Sequence, residues 1–453
     1  MQQDQNMFVL EVELEKFKDS LEKIRNKFKK NESSRELFKE LIEISIDLQS
    51  YLLRWNLQKP GNKIISDKEI INEVKKNYSL LKEFGYSKEV DEIKKEVARI
   101  KSCNMYNLSI ITDEGKINNR WGNNDGTGLK YAMRRGAVLV TTNPKIINVL
   151  RKKFPEYWNK KKEDVKRKYK PYTSEQIAAR VTTEVVLESA RLLRPVYKFR
   201  EKNIGYVSLQ LNPHLSKNSK AMVEEAMMIY SWLKDAFNGE EPNVVFKVPG
   251  TFAGLDTTRE LTSKGIGVNI TVNYSVAQQL AFGEIIEKGN AKHCYLTQMN
   301  RRLEAPVAEE LGEGECDNQE KISSWSSSAV IRMAYNILYK KRGYRKSVLL
   351  GASISKPWHV QRTITGGSDH SLHMTISPEE LDAFDRKLGE FYPCMSKEIE
   401  KEKIKRLLQS ETFRKAYEVD GLKLKEFDNF KPTLTTLNGF KEEYNEFLRW
   451  CVE

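Results

Sequence analysis

The sequence lacks the features of disulfide frameworks, zinc sites and membrane spans. Its 453 residues include five cysteines, an odd number, and no two of them form a Cys-x-x-Cys pair. Scattered cysteines of this kind indicate a reduced compartment and neither a disulfide scaffold nor a zinc site. There is also no run of 18 apolar residues and no basic-then-apolar leader. We therefore expect a cytoplasmic protein with no membrane partner and no secretory signal.

Histidine is scarce as well, with five residues in the whole chain. His293, His359, His370 and His373 have no coherent ligand spacing with carboxylates or cysteines. The sequence therefore predicts no metal site, and we expect no other cofactor.

The net charge is +13, an excess that can indicate a nucleic-acid partner. The first hundred residues are nearly neutral, however, and the most basic stretch, residues 151–170, also contains Glu156, Glu163 and Asp164. A solvated helix face explains this distribution better than a binding arm, so we expect no nucleic-acid partner. A positive field can instead assist the capture of an anionic substrate.

The first hundred residues have helical periodicity and no recognisable chemistry. Apolar residues recur at three- and four-residue steps in four stretches, the first comprising Leu14, Phe17, Leu21, Ile24 and Phe28. A capping box formed by Ser66 and Glu69 opens the third helix, and Gly85 closes it. We predict that residues 1–104 form a helical N-terminal region that is separate from the rest and dispensable for its chemistry.

Short apolar strands then alternate with amphipathic stretches. Residues 205–213, 243–251, 265–273 and 293–302 are apolar runs that end in polar residues. This alternation predicts βα units. Polar residues at the carboxyl ends of successive strands are how a (β/α)₈ barrel builds its active site. The sequence therefore predicts an α/β protein with a TIM barrel.

One of these strands contains a lysine. Lys247 interrupts the apolar run that ends at Pro249 and Gly250. Burying an ammonium is expensive, so a strand covered on both faces has little reason to contain one. A lysine that reaches from the strand end to water is the ordinary explanation. The neighbouring strands, which also end in polar residues, favour a functional explanation for Lys247.

Four motifs in this region resemble the transaldolase family, which includes the fructose-6-phosphate aldolases. They are Thr141-Thr-Asn-Pro144, Val207-Ser-Leu-Gln-Leu-Asn-Pro213, Val245-Phe-Lys-Val-Pro-Gly-Thr251 and Gly265-Ile-Gly-Val-Asn-Ile-Thr271. The resemblance runs from about residue 108 to 378. It implies a barrel at residues 105–380, with C-terminal helices at 381–453 packed on it. It also implies a metal-free enzyme in which Lys247 forms a Schiff base with a ketose.

The resemblance assigns roles to further residues. The family's catalytic aspartate ends the first strand, which we predict at residues 108–112, so Asp113 takes that role. Gln210 and Thr271 would hold a catalytic water, and Asn269 and Thr271, two positions apart, would both face the barrel interior. Asp113 also fits a plain turn and Asn143 an ordinary helix N-cap. The substrate-binding residues implied by the resemblance are Asn143, Asn269, Thr297, Arg302 and Ser353.

The chain departs from the family pattern at four positions, one of which is Asn212, where transaldolases usually have an aspartate. Gln210 stands where transaldolases usually have a glutamate and the aldolases a glutamine. Met299 replaces an aromatic residue that is a catalytic tyrosine in the aldolases, and Ser355 replaces a second phosphate-binding arginine. Lys356 is a nearby cation that can act as a point charge for an anion.

The leading interpretation is a transaldolase-like enzyme that transfers a dihydroxyacetone unit from a ketose phosphate to an aldehyde. Two alternatives stay open: an aldolase-like enzyme acting on an unusual sugar, and a non-catalytic barrel that binds sugar phosphates. The expected partners are sugar-phosphate substrates, and a homo-oligomer is one option that the sequence leaves open.

Overall fold

The computed structural model describes residues 14–32, 34–54, 66–200, 202–315, 317–387 and 389–453. Cys316 and the side chains of Leu14 and Phe17 lie outside this description. Within these ranges, no helix combines the length and the apolar character that a membrane crossing requires.

Eight parallel strands form a closed barrel in chain order. Every neighbouring pair is parallel, including the pair of the last strand with the first, which closes the sheet. The predicted fold class, an α/β TIM barrel with an added N-terminal helical region, is confirmed. The strands are β1 (Asn119–Asn123), β2 (Leu139–Thr141), β3 (Tyr206–Gln210), β4 (Val244–Pro249), β5 (Val268–Thr271), β6 (Cys294–Met299), β7 (Ser347–Ile354) and β8 (Leu372–Ile376).

Helices precede the barrel, alternate with its strands and follow it. Short 3₁₀ segments lie at Pro213–Lys217, Ile322–Trp325 and Leu424–Asn429, and π-helical turns at Leu48–Leu52 and Asn336–Lys341. The α-helices before β1 are α1 (Leu14–Lys30), α2 (Arg35–Asp47), α3 (Asp67–Glu83), α4 (Ser87–Lys101) and α5 (Asn104–Asp113). Those between the strands are α6 (Leu129–Arg135), α7 (Pro144–Lys153), α8 (Pro155–Lys168), α9 (Ser174–Phe199), α10 (Ser219–Ala236), α11 (Phe252–Ser263), α12 (Val276–Lys288), α13 (Asn300–Glu310), α14 (Ser326–Tyr335) and α15 (Pro357–Gln361). Those after β8 are α16 (Pro378–Lys387), α17 (Lys401–Leu407), α18 (Glu411–Tyr417) and α19 (Lys431–Val452).

The predicted first strand at residues 108–112 is wrong. These residues belong to α5, whose buried side chains Met105, Leu108 and Thr112 recur at the helical period. The strand that begins the barrel is β1, which contains two asparagines, an arginine and a glycine. Gly122 suits β1 because a Cβ there would lie 2.0 Å from the Leu139 carbonyl oxygen of β2. Asp113 therefore ends a helix and not a strand.

Among the described N-terminal elements, α4 and the π-helical turn contact α6, and α5 contacts β1. Their buried side chains belong to the same continuous hydrophobic core as those of the strands. Buried Arg54 forms an ion pair with Asp113 at 2.7 Å, and Arg120 of β1 reaches the other Asp113 oxygen at 3.2 Å. Asp47, at the end of α2, forms an ion pair with Arg134 of α6 at 2.7 Å. This layer and the barrel therefore share one interior, and the dispensability of residues 1–104 for the chemistry stays a prediction.

Candidate active site

The barrel register places Lys247 between two polar neighbours on one face. Gln210 of β3 and Asn269 of β5 are the Cα partners of Lys247. Side chains of paired residues in adjacent strands point to the same face of a sheet. Thr271 lies two positions beyond Asn269, so it shares that face, as its spacing predicts. Gln210, Lys247 and Thr271 lie in the carboxyl halves of their strands, where barrel enzymes place their chemistry, and Asn269 is the second of the four residues of β5.

Lys247 is buried without a counter-ion. Lys247 is 7% exposed, and its Nζ donates a hydrogen bond to the Thr142 carbonyl oxygen at 2.7 Å. No ion pair to Lys247 is formed within the described residues. Burial, and then the positive charge of Arg302, lowers the pKa of Lys247 to about 7. A substantial neutral fraction at neutral pH is what an amine nucleophile requires.

A chain of hydrogen bonds crosses the barrel interior beside the lysine. Thr297 Oγ1 donates to Asn269 Oδ1 at 2.6 Å, and Asn269 Nδ2 donates to Ser208 Oγ at 2.9 Å. These contacts use the amide as acceptor on one side and donor on the other, so they fix its orientation. Gln210 Oε1 is buried and accepts no hydrogen bond from the described residues. A buried acceptor of this kind is suited to a water molecule or a substrate hydroxyl.

Asn143 lies next to this site and caps α7. Its Oδ1 accepts a hydrogen bond from the Ile146 backbone N–H at 3.0 Å, so the ordinary N-cap explanation holds. The preceding residue, Thr142, supplies the carbonyl oxygen that binds Lys247 Nζ. The cap therefore fixes the segment that also positions the lysine.

The structure does not bring Asp113 to the site. Asp113 lies at the amino end of β1, paired with Arg54 and Arg120, whereas Lys247 and its neighbours lie towards the carboxyl ends. The assignment of Asp113 as the carboxylate that follows the first strand is wrong because the strand was placed one element too early. The sequence pattern favoured residues 108–112 because they are apolar and β-branched.

Asp125 is the carboxylate that follows β1. It is 5% exposed, and its Oδ1 accepts a hydrogen bond from the Thr127 backbone N–H at 2.6 Å. Burial raises the pKa of Asp125 to about 6, which suits a group that exchanges protons near neutral pH. Sequence reasoning missed Asp125. The available signal was Asp125-Gly-Thr-Gly128, a polar turn of the kind that follows a barrel strand.

Arg302 and Ser353 lie at the carboxyl ends of β6 and β7. Arg302 is in the first turn of α13 and is half-buried. Ser353 has a φ of 54°, in the left-handed region that non-glycine residues seldom adopt. Such backbone geometry is often found at ligand sites.

A buried pair occupies the region around Ser355, where the family has its second arginine. The Ser355 backbone N–H donates to His359 Nδ1 at 3.3 Å. Because Nδ1 accepts, the ring proton lies on Nε2, which donates to Glu304 Oε2 at 2.9 Å. Glu304 is two residues beyond Arg302 on the same helix. The His359–Glu304 pair therefore connects the segments that follow β6 and β7. Where the family has its second arginine, this chain has Ser355, whose backbone N–H binds the histidine of that pair.

Helix α19 lies across the carboxyl ends of the strands. Near its start, Thr433 Oγ1 donates to the Val272 carbonyl oxygen, just after β5, at 3.3 Å. Near its end, Asn445 meets His214 of the 3₁₀ segment after β3 at 2.7 Å, and Phe447 packs against Trp158 of α8. The β5 side and the β2–β3 side are two to three strands apart in the barrel order. A helix of 22 residues is about 33 Å long, enough for this span.

Comparison with known proteins places the chain in a family. The sequence model of the transaldolase/fructose-6-phosphate aldolase family matches residues 122–437. The chain is 30% identical over 187 residues to the transaldolase of Thiobacillus denitrificans, covering 40% of this chain and 48% of that protein. It is 27% identical over 226 residues to transaldolase 1 of Streptomyces avermitilis, covering 47% of this chain and 57% of that protein. This chain belongs to the transaldolase/fructose-6-phosphate aldolase family.

The similarity to the individual relatives is partial. The chain spans about half the length of the curated relatives it matches. A longer match, to the transaldolase of an Arthrobacter species, has 25% identity over 269 residues and covers 57% of this chain. The family match begins in β1, so Asp113 and the N-terminal layer lie outside it.

The described residues contain no cluster of three or more His, Cys, Asp or Glu side chains that could hold a metal ion. Whether the chemistry needs a metal is a separate question, and metal independence stays a prediction.

Proposed function

We propose that this protein is a transaldolase-like enzyme of the Schiff-base class, which transfers a dihydroxyacetone unit from a ketose phosphate to an aldehyde. The observation that supports this function best is the state of Lys247. It is an inward-facing lysine at the carboxyl end of a barrel strand, buried without a counter-ion, with its pKa lowered to about 7. Such a lysine is costly to maintain and suited to nucleophilic attack.

The reaction begins with the neutral amine of Lys247 attacking the C2 carbonyl carbon of the ketose. The carbinolamine hydroxyl takes up a proton from an ordered water molecule and leaves as water, which gives an iminium. Removal of the proton from the C4 hydroxyl then breaks the C3–C4 bond and releases an aldehyde, while the bonding electrons form an enamine. The enamine carbon attacks a second aldehyde, whose oxygen takes up a proton, and water hydrolyses the new iminium to free Lys247. Every step uses amine, carbonyl and water chemistry alone.

The carboxylate of Asp125 and an ordered water molecule are suited to move the protons. The carboxylate of Asp125, with its pKa raised to about 6, can accept the C4 hydroxyl proton and return it to the acceptor oxygen. Gln210 and Thr271 are suited to orient the water that is lost and regained at C2, because both share the inward face with Lys247. A glutamine orients water only by hydrogen bonds and exchanges no proton with it.

The remaining polar groups would bind the sugar chain. Asn269, fixed by Thr297 and Ser208, is suited to the hydroxyls nearest C2. Arg302 and Ser353, at the ends of β6 and β7, are suited to the terminal phosphate. Asn143 would contribute its amide N–H₂, since its oxygen is engaged in the cap.

Cleavage without transfer is the second candidate function. Gln210 favours it, because the carboxylate usual at this position in transaldolases is absent while the aldolases have glutamine. In that case the enamine is protonated at carbon and dihydroxyacetone leaves without reaching a second aldehyde.

Borohydride trapping tests the proposal and separates the two functions. With fructose 6-phosphate, borohydride should reduce the Lys247 iminium and add a three-carbon mass, read by intact mass and peptide mapping. Addition of erythrose 4-phosphate should yield a seven-carbon ketose phosphate if transfer dominates, and free dihydroxyacetone should accumulate if cleavage does. Absence of any adduct across a panel of ketoses would reject both functions and leave a sugar-phosphate-binding barrel.

A further inference from the structure

The guanidinium of Arg302 is held by side chains of the C-terminal helix. Its carbon lies 5.2 Å from the centre of the Phe440 ring, within the range of a cation–π contact. Phe440 is 2% exposed and belongs to the hydrophobic core, so its ring cannot move aside easily. One face of the arginine is therefore fixed by α19.

Tyr274 approaches Arg302 from the loop after β5. Its ring is fully buried, and its hydroxyl contacts Thr436 Oγ1 at 2.5 Å and Met299 Sδ at 3.5 Å. Burial raises the pKa of Tyr274 to about 12, while the nearby Arg302 and the hydrogen bond with Thr436 oppose the rise. Tyr274 is therefore neutral, and its hydroxyl lies close to the arginine while it contacts Thr436 of α19.

Thr436 and Phe440 are four residues apart and so lie on one face of α19, a single turn from each other. This face contacts Arg302 directly through the Phe440 ring, and Thr436 holds the Tyr274 hydroxyl near the arginine. Neither residue belongs to the motifs that define the lysine strand or its neighbours. We infer that Thr436 and Phe440 form a clamp that positions Arg302 for the anionic end of the substrate, so that α19 determines the preference for charged ketoses.

The inference rests on the proposed function for its substrate, and its geometry gives the preference a physical cause. An unclamped arginine at the rim of the barrel would lose side-chain entropy on binding an anion. An arginine already held between a ring and a hydroxyl loses less, so binding is tighter. The clamp should therefore affect a phosphorylated ketose strongly and its neutral analogue weakly.

Phe440→Leu removes the ring and keeps most of the apolar volume. We expect about a three- to tenfold rise in KM for fructose 6-phosphate, less than about a twofold rise for fructose, and similar kcat values. Phe440→Tyr keeps the ring face and should restore the wild-type ratio of the two KM values. Phe447→Leu, on the same helix but packed against Trp158 of α8, is the matched control and should leave the ratio unchanged.

A second pair of variants tests the same inference if Phe440→Leu does not fold. Thr436→Val removes the hydroxyl that holds Tyr274, and Thr436→Ser keeps it. Only the valine variant should weaken the preference for the phosphorylated ketose. Equal losses for charged and neutral ketoses, or a Phe447→Leu effect of the same size, would overturn the clamp.

Calorimetric titration with inorganic phosphate separates this inference from the proposed function. If the wild type forms no iminium but binds phosphate, and Phe440→Leu weakens that binding, the proposed function fails while the clamp stands. If iminium forms but phosphate binding and the KM ratio are the same in Phe440→Leu and wild type, the clamp fails alone. If the wild type binds no phosphate, Arg302 is not an anion site and the clamp is overturned.

Discussion

The two ends of the barrel bury charge in opposite ways. At the amino end, Asp113 lies between Arg54 and Arg120, and Asp47 is paired with Arg134. At the carboxyl end, Lys247 has a backbone carbonyl as its partner and Arg302 as a like-charged neighbour. Asp125 there accepts a backbone N–H and lies in an apolar setting that raises its pKa.

The difference separates structural charges from chemical ones. A buried charge with an opposite partner keeps its ionisation state and is costly to disturb. A buried charge without one has its pKa shifted in favour of the neutral form, and for Lys247 and Asp125 the shift brings the pKa close to neutral pH. The predictions below test this contrast between the amino and carboxyl ends.

Lys247→Met should have the largest effect. Loss of the amine removes the iminium, so turnover should fall by about 10⁴-fold or more and borohydride should add no mass. Lys162 is a matched control because it is also buried and also donates to a backbone carbonyl, that of Trp450 at 3.1 Å. Lys162→Met should leave the three-carbon adduct intact, and an adduct that survives in Lys247→Met would assign the chemistry to another lysine.

Arg54→Met should weaken folding and spare the chemistry. It removes one of the cations that pair with buried Asp113, and breaking a buried pair costs about 3–5 kcal/mol. Urea unfolding measures the loss, and borohydride trapping at low denaturant should still label Lys247. Lys95→Met, which breaks the exposed pair with Glu92, is the control and should leave the free energy of unfolding unchanged.

The paired charges at the amino end also lead to an expectation for residues 1–104. A chain that begins at Met105 lacks Arg54 and the apolar side chains that share the barrel core. We expect it to be insoluble, although the named site residues are all present. A soluble Met105 chain that still forms the iminium would show that residues 1–104 are dispensable for folding and chemistry alike.

Much of the barrel could be predicted from sequence because most strands are apolar and bounded by turns. β4 and β8 are such strands, and buried parallel strands commonly read as continuous hydrophobic runs. β1 could not, because Asn119 and Gly122 have low strand propensity, and Asn119 donates to the Thr363 carbonyl oxygen at 2.8 Å, a contact that only the tertiary fold provides. The helical run at residues 108–112 resembled a strand more closely than the true one did.

The candidate site was predictable where a residue and its neighbours form a motif. Lys247 and Asn269 belong to such motifs, and the register brings them together. The contacts of Phe440 and Thr436 with the site depend on how α19 crosses the barrel, which is a tertiary feature without a local signal. The pairing of Arg54 with Asp113 is likewise set by packing between distant segments.

Asp125→Asn and Asp113→Asn test which aspartate takes part in the chemistry. Asp125→Asn should slow carbon–carbon cleavage about a hundredfold or more, because proton transfer at C4 is lost. The free energy of unfolding should change little, since the amide keeps the acceptor for the Thr127 N–H. Asp113→Asn should do the reverse, lowering stability while single-turnover cleavage at low denaturant stays near wild type. A rate loss confined to Asp113→Asn would return that residue to the site.

The smallest effect concerns the histidines at the amino end of the barrel interior. His293 stacks on Tyr206 with ring centres 4.7 Å apart and faces Tyr295 and His373. Burial, and then the charge of His370, lowers the pKa of His293 to about 3. Between its unfolded pKa of about 6.5 and about 3, the unfolded state binds a proton that the folded state does not. Stability is therefore fully present above pH 6.5 and falls as the solution becomes more acidic.

His293→Phe keeps the stacked ring and removes the titration. We expect the free energy of unfolding to fall less steeply below pH 6.5, by up to about 1.4 kcal/mol per pH unit, which is the contribution of one proton. Measurements above pH 7.5 serve as the control, because histidine is neutral there in both states and the pH slopes should agree. An unchanged acid slope would mean that His293 takes up its proton within the folded barrel. The amino end would then contain a titrating group, and the contrast with the carboxyl end would lose its generality.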